Sequence, residues 1–108
     1  MIDFDRIRSA AAGHHGDDQK RLVSTGLEIV DTLLKKNADY GGSAWEVPIL
    51  APQMTARQAI QCRMSDKVKR LANLLSGQKP EVEESIEDTM RDLAGYAMLW
   101  LGAPDSAV

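Results

Sequence analysis

Apolar positions return at helical spacing in three stretches of the chain. Between Asp17 and Lys36 they are Leu22, Val23, Leu27, Val30, Leu33 and Leu34, with Asp17 and Asp18 at the start and Lys35 and Lys36 at the end, where each sign complements the helix dipole. A second stripe, Ile60, Met64, Val68, Leu71 and Leu75, follows a Thr55-x-x-Gln58 capping box and ends at the SGQKP of residues 76–80. A third runs Val82, Ile86, Met90, Leu93, Ala97 and Trp100. Its predicted start is Pro80, a residue tolerated in a first turn, with Glu81, Glu83 and Glu84 supplying negative charge there and Leu101 closing it. Ile2, Phe4 and Ile7 form the apolar edge of a short helix or arm that Gly13 and Gly16 interrupt. No segment alternates with period two between hairpin turns. The fold class expected is therefore all-α: a small bundle of three main helices plus a short N-terminal helix or arm. The domain spans 17–103, after an arm over 1–16 and before a tail over 104–108. The eighteen residues 37–54, with two adjacent glycines and two prolines, are a long connection for so small a domain, and that length points to a function.

At 108 residues there is room for one core only. The net charge of −3 argues against a surface built to neutralise duplex DNA, while leaving room for a compact basic pocket. Cys62 is the single cysteine, so no intramolecular disulfide forms and a reducing cytoplasm is the expected compartment. His14 and His15, adjacent and flanked by glycine, have the wrong spacing for two ligands on one helical face and read as surface residues. No window approaches the ~18 apolar residues of a membrane span. The run LAGYAMLWL at 93–101 is apolar almost all round, more than one small subunit encloses, which predicts a homo-oligomer.

Charged residues interrupt the stripes in two places. On the third helix Glu84, Asp88 and Asp92 follow at i+4 steps, and since four residues overshoot a 3.6-residue turn, the ladder drifts about 40° per step toward the core. Asp92 thus leans inward beside Tyr96, where a carboxylate needs a cation, a donor or a metal. Carboxylates one turn apart suit Mg²⁺, which makes Glu84, Asp88 and Asp92 candidate metal ligands and Asp88 and Asp92 candidate catalytic residues. The alternative is a solvated acidic face with Asp92 paired to an arginine or a tyrosine hydroxyl.

On the second helix Lys67 projects only some tens of degrees from the core direction, flanked by Arg63 and Arg70. Either Lys67 snorkels and the arginines are solvated, or the three cations form a wall facing the acidic ladder across a cleft. Such a cleft suits a nucleotide, with cations on the phosphates. Asp39, Tyr40 and Gly41 are further candidate ligand contacts, because Gly41 and Gly42 let the backbone approach closely. Tyr40 or Trp45 would stack on a base, or else plug the end of the bundle.

The combination Lys36-Asn37-x-Asp39-Tyr40-Gly41, Arg63-x-x-Asp66-Lys67-x-x-Arg70-Leu71 and Glu84-Ser85-x-x-Asp88-Thr89-x-x-Asp92-Leu93-Ala94-Gly95-Tyr96 resembles the first of the phage nucleotide-modification-associated domains, over about residues 27–101. That family looks similar in shape to the all-α, MazG-like and dUTPase-like pyrophosphohydrolases, whose acidic residues on two helices hold Mg²⁺ and which hydrolyse (d)NTPs to monophosphate and pyrophosphate. Those enzymes carry acids on both helices, whereas the middle helix here is cationic. The resemblance implies a phage-type nucleotide-binding protein, as a Mg²⁺-dependent pyrophosphohydrolase or as a non-catalytic nucleotide-binding module, in the host cytoplasm. A third reading, from the residues alone, is a helical adaptor in which Lys67 and Asp92 form an internal salt bridge.

Overall fold

A computed structural model of the chain describes residues 1–39, 43–77, 79 and 85–104. Its helices are α1 (Phe4–Ala11), α2 (Asp17–Asp39), α3 (Ala56–Leu75) and α4 (Ile86–Gly102), with a single 3₁₀ turn at Ser43–Trp45 and no strand among the described residues. The fold is all-α, with three long helices and a short N-terminal one, as the hydrophobic spacing predicts. None of the described helices is long and apolar enough to cross a membrane.

The chain divides into two compact units, Met1–Lys35 and Lys36–Val108. In the first, Asp3 caps α1 by accepting from the Arg6 N–H at 3.0 Å, and Ala10 is buried. Gly13 and Gly16, at φ of +90° and +95°, adopt the left-handed turns that pass the chain from α1 to α2. No residue of α2 from 17 to 38 is buried. His14 and His15 are exposed, as their spacing predicts.

In the second unit α3 and α4 pack antiparallel. Arg57, in the first turn of α3, donates to the carbonyls of Trp100 and Ala103 at the end of α4, at 3.1 and 3.2 Å, and Lys67 meets Asp92 one-third of the way along α4. Both N-termini are closed by reciprocal caps. Thr55 Oγ1 accepts from the Gln58 N–H at 3.1 Å while the Gln58 side chain accepts from the Thr55 N–H at 2.9 Å. Ser85 and Asp88 repeat this at α4, at 3.0 and 3.2 Å. Thus α4 begins at Ile86, whereas the expected start at Pro80 lies outside the described residues.

Both helices are rotated relative to the apolar stripes of the sequence. On α3 Ala56, Ala59 and Ile60 are buried and Met64, Leu71 and Leu74 half-buried, while Val68 and Leu75, expected inside, are 55% and 65% exposed. On α4 the buried positions are Thr89 and Gly95, and Ile86 and Met90 are exposed. Small residues at the contact let the backbones approach, and the charged partners Lys67 and Asp92 turn toward one another. Burying a methylene is worth only about 0.8 kcal/mol, too little to outweigh leaving a half-buried charge without its partner.

At the far end of α4 the orphan carbonyls of the last turn are satisfied by side chains. The Trp45 indole N–H donates to Leu99 O at 2.8 Å, and the Arg57 guanidinium, besides its two carbonyls, lies 4.8 Å from the centre of the Trp100 ring. A Cβ at Gly102 would sit 3.5 Å from the Trp45 ring. Trp45 therefore plugs the end of the helix pair, the second of the two roles its position allowed.

Candidate functional site

Inward-facing positions on α3 spread about 100° per residue around Lys67, with Ile60, Leu71 and Leu74 on either side of it. A lysine thus occupies the centre of a face that also carries Ile60, Leu71 and Leu74. Its ammonium lies 2.9 Å from Asp92 Oδ2, with side-chain exposures of 23% for Lys67 and 28% for Asp92. Lys36, near the end of α2, brings a second ammonium to 3.9 Å from Asp92 Oδ1 and is itself largely exposed. The expectation that Lys67 and Asp92 face one another across the two helices is met, and Lys36 adds a cation from a third helix.

Arg70, one turn beyond Lys67, is half-buried on the same face, whereas Arg63 is exposed. Tyr96 is half-buried one turn after Asp92, and Thr89, fully buried, donates its hydroxyl to Ser85 O at 3.1 Å. The polar cluster therefore contains Lys36, Lys67 and Asp92, with Arg70 and Tyr96 on the adjoining turns. Asp39 is the last residue of α2, and Tyr40, Gly41 and Glu84 lie outside the described residues.

Asp88 sits one turn before Asp92 but belongs to the cap. The Ser85 backbone N–H donates to Asp88 Oδ2, and this bond, then the Ser85 hydroxyl, hold the carboxyl below the ordinary carboxylate range; desolvation opposes them, and the Arg91 charge adds the least. Asp88 is thus ionised and oriented toward its own helix end.

These partners decide how well the acids suit Mg²⁺, which requires near-octahedral oxygen ligation with carboxylate oxygens turned toward the ion. Asp88 Oδ2 faces the Ser85 N–H, and the two oxygens of Asp92 face two ammonium groups. No three acidic, histidine or cysteine side chains among the described residues converge on a common point. Both acids of the ladder that are described, Asp88 and Asp92, are thus engaged by N–H donors, and the third, Glu84, lies outside the described residues. What the described cluster offers is cationic N–H donors held in place by one carboxylate.

Lys36 was not singled out by position on a stripe, because it lies past Leu34, the last residue of the apolar stripe of its helix. The signal for the α4 cap was present as Ser85-x-x-Asp88, which outweighs the proline-and-glutamate signature upstream.

Against known proteins, the family described as nucleotide modification associated domain 1 matches residues 36–101. The chain belongs to this family. The matched region of the nucleotide-modification-associated domain starts with Lys36 and includes Lys67, Asp92, α3 and all but the last residue of α4, so the polar cluster lies wholly within it. No curated protein and no solved structure matches the chain.

Proposed function

We propose that this nucleotide-modification-associated domain binds a nucleotide through its phosphate at the Lys36–Lys67–Asp92 cluster. The observation that carries the reading is the lysine at the centre of the inner face of α3, fixed at 2.9 Å by Asp92 and joined by a second lysine. An ammonium has three donors, and a carboxylate that engages one of them orients the others. Half-burial lowers the local dielectric, which strengthens the attraction between these cations and a phosphate dianion. The family's description, nucleotide modification, supports the same ligand class.

In this reading Asp92 is a positioning residue and Lys67 a phosphate contact. Hydrolysis of a (d)NTP with Mg²⁺ on Glu84, Asp88 and Asp92 is a second reading, which rests on the i+4 spacing of these acids in the sequence. The two separate in a thermal-shift panel of nucleoside mono-, di- and triphosphates with and without Mg²⁺, followed by product analysis. Binding that persists without Mg²⁺ and is lost in Lys67→Ala supports the phosphate site. Pyrophosphate release that requires Mg²⁺ and disappears in Asp92→Asn supports the hydrolase. No nucleotide-dependent shift under any condition rejects both.

A further inference from the structure

The Lys36–Lys67–Asp92 cluster carries too little positive charge for more than one phosphate. Its two ammonium groups and one carboxylate sum to +1. A terminal phosphate carries about −1.5 to −2 at pH 7, and a second phosphate in the chain adds to that. Held by the cluster alone, a diphosphate would bring far more negative charge than its surroundings offset, next to a lysine side chain that is only 23% exposed. A further cation is needed close by.

Arg70 stands next along the same helix. Three residues after Lys67, it is about 4.5 Å further along α3 and about 60° around it, and it is half-buried. Because α3 and α4 run antiparallel, one turn forward from Lys67 is one turn back from Asp92, at Asp88 and Thr89. There the Thr89 hydroxyl donates to Ser85 O and the Asp88 carboxylate accepts from the Ser85 N–H. Both polar groups of α4 at this level are turned to their own helix end, and the cation comes from α3. A guanidinium has five N–H donors in a planar fork, so one that engages a protein group still has donors for two phosphate oxygens.

The spacing suits two phosphates joined by one bridging oxygen. Such a pair is shorter than one helical turn of about 5.4 Å, so a chain with one phosphate on Lys67 brings the next within reach of the Arg70 fork. Arg63, one turn to the other side of Lys67, is exposed, where solvent and salt screen its charge, so the chain runs toward Arg70. Adding one guanidinium to the cluster raises its charge from +1 to +2, and that charge is fixed because arginine does not deprotonate. It belongs to the protein, so a preference for the longer chain does not depend on Mg²⁺.

We infer that Arg70 holds the second phosphate of the ligand, so that the site takes a nucleoside di- or triphosphate in preference to a monophosphate; this rests on the phosphate reading of the Lys36–Lys67–Asp92 cluster. The test is calorimetric titration of the full chain with inorganic phosphate and with inorganic pyrophosphate, in EDTA at constant ionic strength, where no base contact contributes. Pyrophosphate should bind at least about tenfold tighter. In Arg70→Gln, with helical circular dichroism kept, phosphate binding should persist and the preference should fall below about threefold. Arg70→Lys, which keeps the charge without the fork, should retain part of the preference. Lys69→Gln, the same charge change at an exposed position on the opposite side of α3, should leave it intact. Equal binding of the two anions by the wild-type chain overturns the inference, as does a preference that survives Arg70→Gln, or one that appears only with Mg²⁺. If neither anion binds, or if Lys67→Ala leaves both affinities unchanged, the phosphate site itself falls and the inference with it.

Discussion

Removing Asp92 and removing Lys67 should destabilise the domain by different amounts. In Asp92→Ala the Lys67 ammonium, 23% exposed, loses the carboxylate at 2.9 Å, and its place at the centre of the inner face of α3 gives it only a partial route to water. Breaking a fully buried pair costs about 3–5 kcal/mol, and exposed pairs are worth about 0–1 kcal/mol. With roughly three-quarters of both side chains covered, the expected loss is about 2 kcal/mol, between those limits. In Lys67→Met the stem volume is kept, and Asp92 retains Lys36, 3.9 Å away on a largely exposed side chain. That loss should be smaller, about 1 kcal/mol. Combining Asp92→Leu with Lys67→Met replaces the pair by apolar surface and should recover most of the stability. Urea unfolding followed by circular dichroism gives all three from the midpoint at constant slope. The reasoning is refuted if Asp92→Ala costs less than Lys67→Met, or if the double replacement is as unstable as the sum of its singles.

Three further outcomes follow from the helix ends. Ser85→Ala removes one half of the α4 capping box and should cost about 1 kcal/mol in the same urea assay. Because Asp88 is held below the ordinary carboxylate range, its contribution is fully present above the unfolded carboxylate pKa, about 3.9, and is lost as pH falls through the lower folded value; Asp88→Asn should therefore flatten the acid limb of a stability-versus-pH curve measured from pH 6 downward. Arg57→Met removes the donors to Trp100 O and Ala103 O and the cation over the Trp100 ring, and should cost about 2 kcal/mol while shifting tryptophan emission.

The sequence made the helices legible because each has both a period and a terminal signal. Thr55-x-x-Gln58 located the start of α3 to the residue, since a capping box satisfies two otherwise orphaned donors and is local in sequence. The same logic at Ser85-x-x-Asp88 was obscured by Pro80 and three glutamates, which also resemble a first turn. The facing sides of α3 and α4 were harder to read. A stripe calculation ranks Val68, Ile86 and Met90 as interior because it weighs each helix alone, whereas the contact is decided by a pair, Lys67 with Asp92, and by the small residues Ala59, Thr89 and Gly95. The pair itself was foreseeable as the two charges that intrude on apolar faces. Lys36 was not, because its role depends on where the end of α2 lies in space. Trp45 was ambiguous until its N–H found Leu99 O, a contact between residues 54 apart in sequence.

The most direct test of the central claim is a calorimetric titration of the full chain with a nucleoside triphosphate and with the matching nucleoside, in the presence of EDTA and again with Mg²⁺. A phosphate site at Lys36, Lys67 and Asp92 predicts binding of the nucleotide without metal, at least tenfold tighter than the nucleoside, with that preference removed by Lys67→Ala in a protein that remains folded. Equal binding of nucleotide and nucleoside, or nucleotide binding unchanged by Lys67→Ala, would contradict it.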